Sequence, residues 1–129
     1  MEARQTIYYA LGILAYAIAK SDGDIHDEEK ERLFDIVQKE MNHNIDFEYA
    51  EIIFQLLDRD KVGIDKTYNW AIEELKKGRH YLSPEIKKKM IVTLEQIALS
   101  FDKISGEEKA IIDRFKNDLE KIGSDHYLK

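Results

Sequence analysis

Cysteine is absent from this chain, so neither a disulfide framework nor thiolate chemistry is open to it, which fits a reducing compartment. Proline occurs once, at Pro84, and glycine six times. No run of alternating apolar and polar residues is sustained anywhere, which argues against a sheet. Long apolar stretches are missing too. The longest, Ile7 to Ala19, has 13 residues and is too short to cross a bilayer. Ala15-Tyr16-Ala17 and Ala17-Ile18-Ala19 imitate signal-peptide cleavage sites, but Met1-Glu2-Ala3-Arg4 is a poor basic lead. A mostly buried first helix is the better reading. There is no glycine-rich phosphate loop, no Gly-x-Ser-x-Gly elbow and no His-x-x-x-His pair among His26, His43, His80 and His126. An enzyme is therefore not expected.

What is present is apolar and charged in balance. Hydrophobic residues make up 43% of the 129 and charged residues 36%, as in a folded helical domain of one core. We read residues 1–129 as that single domain. The net charge of −6 is uneven. Residues 1–60 hold 14 acids against 6 bases, whereas residues 61–129 hold 12 acids against 14 bases. An acidic first half repels phosphate backbones, so nucleic acid is not an expected partner, and cations or a basic protein surface suit it better. Direct membrane insertion is not expected either.

Apolar spacing predicts helices over about 4–20, 27–42, 46–58, 66–78, 84–101 and 106–122. Ile7, Leu11, Leu14, Ala15 and Ile18 share one face of the first, and Tyr8, Tyr9 and Tyr16 widen it, which makes this helix central. Gly12 inside it costs about 1 kcal/mol relative to Ala and marks a place where another helix passes close. Tyr49, Ile52, Ile53, Leu56 and Leu57 are expected to face inward from the third helix, and Asp65 to cap the fourth. Trp70 reads as core. Ser83-Pro84-Glu85 is the strongest helix start, with Ser as N-cap and Pro at the first helical position. Ser105-Gly106-Glu107-Glu108 is a capping box, and Gly123 a helix end.

A shift of 79 lays residues 18–30 on residues 97–109 without a gap, and seven of the thirteen positions are identical. The identical pairs include Ile18/Ile97, Ser21/Ser100, Ile25/Ile104 and Glu29/Glu108. The fold class that follows is all-α: a compact bundle of about six to seven helices containing two pseudo-symmetric helix–turn–helix units.

Both units turn at acidic residues. In Ser21-Asp22-Gly23-Asp24-Ile25-His26-Asp27-Glu28-Glu29, two aspartates and a following glutamate offer the oxygens that Ca²⁺ or Mg²⁺ requires. The loop is not an EF-hand: counted from Asp22, position 6 is Asp27 and position 12 is Leu33. Asp58 to Asn69 has Gly63 in place but neither ligand at Val62 nor a closing Glu. The competing reading is that acids crowd helix starts for capping and dipole reasons alone. Lys76, Lys77, Arg79, Lys87, Lys88 and Lys89 form a basic cluster, read either as a solvated face or as a docking patch for an acidic partner.

The apolar helix, the small residue–Asp–Gly–acid–Ile turn and the Glu-Glu helix opening over Ala15 to Leu33 resemble the TerB-like tellurite-resistance family. The half-repeat at Ala98–Ile112 adds to the resemblance. It implies an all-helical domain of the bacterial cytoplasm, linked to tellurite and other chemical stress, with relatives in membrane-anchored J-domain co-chaperones. It also implies divalent cations (Ca, Mg or Mn) at Asp22, Asp24 and Glu29 in the first unit and at Asp102 and Glu108 in the second. The second unit departs from the pattern, with Phe101-Asp102-Lys103 in place of a small residue, Asp and Gly. Protein partners are expected on either reading; the alternative to cation binding is a metal-free helical interaction module.

Overall fold

A computed structural model describes residues 3–21, 25–40, 47–100 and 106–122. They form α1 (Ala3–Ser21), α2 (Asp27–Glu40), α3 (Phe47–Asp60), α4 (Ile64–Lys77), a single 3-10 turn (Arg79–Tyr81), α5 (Pro84–Ser100) and α6 (Gly106–Lys121), with no strand among the described residues. The bundle is all-α, as the periodicity predicts.

From Thr6 to Ala19, every α1 side chain except Tyr9 is buried. A helix apolar all round needs partners on all sides, and α1 packs on α3, α4, α5 and α6. Gly12 makes the approach of α3 possible. A Cβ there would collide with the Ala50 carbonyl oxygen and stand 2.7 Å from Ala50 Cα on α3.

Because α3 covers α1 from one side, its buried stripe is narrow: Ala50, Ile53, Phe54 and Leu57. Ile52 and Leu56, expected inside, are instead 55% and 41% exposed. The helix also runs past its expected end. Lys61 adopts a left-handed φ of 50°, and the Val62 N–H donates back to the Leu57 carbonyl at 3.3 Å, closing the last turn. Gly63, rather than Asp65, stands at the N-cap of α4, with no side-chain cap. Its carbonyl accepts from both the N–H and the hydroxyl of Thr67, at 3.0 and 2.7 Å. At α5 the sequence signal holds, since Ser83 Oγ accepts from the Ile86 N–H at 3.0 Å.

Polar cross-links fix the helices in register. Tyr16 donates to the Val62 carbonyl at 3.1 Å. Tyr68, buried on α4, donates to Asp118 Oδ2 on α6 at 2.6 Å, and the Arg114 guanidinium lies 4.1 Å from the centre of its ring. Trp70, expected in the core, sits at its rim with its ring edge-on to Tyr9 at 5.7 Å.

The internal repeat has a structural counterpart. Leu11/Met90, Ile18/Ile97, Ala19/Ala98 and Leu33/Ile112, related by the shift of 79, are buried in both units. Ser21 and Ser100 each donate to the carbonyl three residues back, at 2.7 Å in both cases. α2 packs on α5 and α6 on α1, the exchange of partners that a two-fold relation between the units requires.

Two expectations follow. Gly12→Ala forces α1 and α3 apart and destabilises the fold by about 1–3 kcal/mol in denaturant unfolding. The Tyr68 phenol is held above its ordinary 10.0, first by burial and then by its hydrogen bond to Asp118 and that carboxylate's charge, with Arg114 opposing. Above pH 10 the unfolded chain therefore sheds this proton while the folded chain keeps it, and stability falls by about 1.4 kcal/mol per pH unit from this group. In urea titrations above pH 10, Tyr68→Phe lacks that one-proton contribution and shows a correspondingly shallower alkaline loss.

Candidate functional site

The acidic turn between α1 and α2 is described from Ile25 onward; Asp22 and Asp24 lie outside the described residues. His26 takes the N-cap position of α2, its carbonyl accepting from the Glu29 and Lys30 N–H groups at 3.0 and 3.1 Å. Glu29, three residues on, turns its Oε1 back to accept from the His26 N–H at 2.9 Å. That is the glutamate half of a capping box, with histidine where serine or threonine is usual. Asp27 and Glu28 stand exposed in the same turn, facing the positive end of the helix dipole.

Basic side chains tie the turn to its neighbours. Lys30 bridges α2 to Asp58 on α3 at 2.6 Å. Its proton is held more tightly than usual, chiefly through that hydrogen bond and against a smaller burial penalty. Arg32 donates to the Ser100 carbonyl at the end of α5, at 2.9 Å. A shallow hollow lies over His26, Asp27, Glu28, Glu29 and Arg32. Its guanidinium places a fixed positive charge beside the acids.

In the second unit Asp102 lies outside the described residues, as does the Ser105 expected to cap α6. Glu108 is fully buried in the first turn of α6. Glu29 and Glu108 therefore occupy matching places at the starts of different helices. Among the described residues no group of three or more His, Asp or Glu side chains is placed to hold a metal ion.

The basic cluster resolves into two populations. Lys76, Lys77 and Lys89 pair with Glu73, Glu74 and Glu85 on their own helices, at 3.5, 3.2 and 3.8 Å. Arg79 donates to the Lys76 carbonyl at 2.9 Å. Lys87 and Lys88 point elsewhere, to the edge of a groove of about 540 Å³ between α5 and α6. Pro84, Ile91 and Val92 of α5 and Leu119 of α6 supply its apolar surface. Lys87, Lys88, Glu95, Lys116 and Glu120 supply its charge. Lys116 reaches across to Glu95 at 3.3 Å. Burial weakens the hold of Lys87 on its proton, with the charge of Glu120 opposing. Lys88 is exposed and makes no ion pair among the described residues.

Sequence periodicity misses this groove. On α5 it assigns Ile86, Met90, Leu94, Ile97, Ala98 and Phe101 to the core; Phe101 lies outside the described residues, and of the others all but half-buried Ile86 are fully buried. Ile91 and Val92 remain half-buried on the next face. The available signal is the unbroken run Met90-Ile91-Val92, more apolar surface than one buried stripe uses.

Compared with protein-family models, with curated proteins and with solved structures, the chain shows no match.

If Glu29 serves as a cap, Glu29→Ala destabilises the fold by about 1 kcal/mol, equally in chelator and in millimolar Ca²⁺, Mg²⁺ or Mn²⁺. Thermal unfolding of both proteins under both conditions checks this. A loss confined to the cation-containing samples makes the carboxylate a ligand instead.

Proposed function

We propose that this chain is a non-enzymatic helical interaction module of the TerB-like kind, which docks a helix of a partner protein in the groove between α5 and α6. The observation that carries this reading is the groove itself. Ile91 and Val92 stay half-buried on the outer side of α5, above Leu119 of the core, and with Pro84 they line a surface trough. Helices of partner proteins bind such troughs by laying an apolar stripe into them.

The rest of the molecule supports a binding role over chemistry. The groups whose proton affinity is displaced include Tyr9, Tyr16, Tyr68 and Lys30, and burial or a pairing with a neighbouring helix accounts for each. The described acids of the first turn are engaged in starting α2, by capping and by the helix dipole. No helix among the described residues is long and apolar enough to cross a membrane. The setting we propose, on the resemblance carried by Ala15 to Leu33, is an accessory role in a bacterial stress response.

A photo-crosslinking residue placed at Val92 tests the reading in cells. A discrete adduct with another protein is expected from position 92. The same residue at Asp113, an exposed site on α6 that does not line the groove, should yield none. Ile91→Glu should remove the adduct. Equal labelling at both positions rejects the groove as the docking surface.

A further inference from the structure

We infer that the occupant of the groove is an acidic amphipathic helix, held by its apolar stripe on Pro84, Ile91 and Val92, over a floor closed by Leu119, and by its carboxylates on Lys87 and Lys88. The inference rests on the reading above and names the chemistry of the partner.

Length points to a helix of about three turns. The α5 wall runs from Pro84 to Glu95, about 16 Å at 1.5 Å per residue. A three-turn helix presents anchors at i, i+3 or i+4, and i+7 over that span. The trough lies open along the surface and encloses too little to surround a small ligand on most sides, as small-molecule sites do.

Charge points to acid. Three lysines and two glutamates edge the groove, on a chain whose net charge is −6. Both glutamates already face lysines of the same groove, Glu95 through its 3.3 Å bridge to Lys116 and Glu120 through its field on Lys87. Lys88 remains in excess. Lys87 stands half-buried beside the apolar floor, where water solvates its ammonium poorly. A partner carboxylate arriving there replaces lost hydration, and attraction between opposite charges is stronger in such partly dry surroundings. A basic helix meets repulsion at the same two lysines. The neighbouring lysines of the cluster are already neutralised by Glu73, Glu74 and Glu85, so the unspent positive charge is concentrated where the apolar surface is.

The test uses the full chain, isotopically labelled, and two synthetic 14-residue helical peptides. They share one leucine stripe and differ only in carrying glutamate or lysine on its flanks. Chemical shifts should move at Ile91, Val92 and Leu119 with the glutamate peptide, which should bind at least tenfold more tightly than the lysine peptide. Lys87→Glu/Lys88→Glu should reverse that order. Lys88→Glu alone, which disturbs no ion pair among the described residues, should narrow the gap several-fold and serves if the double variant does not fold. Equal affinity for the two peptides, or indifference to the charge reversal, overturns the acidic partner while leaving the groove as a docking surface. Failure of both peptides to shift groove residues overturns the inference and the docking reading together. Self-association of the chain alone, abolished by Ile91→Glu, assigns the groove to a second copy and likewise overturns the acidic partner.

Discussion

Burying α1 on every side is the constraint from which the other contacts follow. Each fully buried Leu or Ile contributes about 1.5–3 kcal/mol, and α1 alone supplies Ile7, Leu11, Ile13, Leu14 and Ile18 at zero exposure. No single helix covers more than one side of another, so α3, α4, α5 and α6 must all converge on it. On the α3 side Gly12 lets the backbone at Ala50 approach where any side chain would block it. The helix-propensity cost of that glycine is about 1 kcal/mol, offset by the contacts that the close approach allows to Ile53, Phe54 and Leu57.

Once α1 is enclosed, the repeat explains how two similar units share one core. Residues 18–30 and 97–109 need not be identical throughout for the units to pack alike. What matters is that apolar positions, the serine back-bond and the glutamate at the third helical position recur at the same offsets. The units differ in their outward charges. Lys30 is spent on Asp58 of α3, whereas its counterpart Lys109 pairs with Asp113 on its own helix. The first unit is therefore tied sideways into the bundle through Lys30, whereas in the second that tie is made by Asp118, which accepts from Tyr68 of α4.

Local rules made the all-α fold, the centrality of α1 and the start of α5 legible, because helical period, serine capping and proline at the first position act within a few residues. They failed where tertiary contacts decide. Six apolar residues, Ala50, Ile52, Ile53, Phe54, Leu56 and Leu57, compete for a stripe on α3 wide enough for four, and only the position of α1 leaves Ile52 and Leu56 outside it. The end of α3 was hidden because Lys61, not a glycine, takes the left-handed position. Of the acidic set, Glu29 was legible as a helix-start residue, and its bond to His26 supports the capping reading of that residue. Whether Ile91 and Val92 are inside or outside depends on where α6 lies against α5, which no local period encodes.

The same division accounts for where charge and apolar surface meet. A lysine three or four residues from a glutamate on the same helix is neutralised locally, as Lys76, Lys77 and Lys89 are. Lys87 has no acid at that spacing, and although Glu85 stands three residues before Lys88 its carboxylate pairs with Lys89 instead. The acids nearest the groove on α6 and α5, Glu120 and Glu95, already answer Lys87 and Lys116. Side-chain pairing thus sorts the cluster of six basic residues into structural and available members, and the packing of α6 beside α5 sets the available ones against an apolar floor. A surface so arranged discriminates by charge sign first and by the fit of an apolar stripe second, because rim charges steer encounter while buried apolar contacts hold the complex.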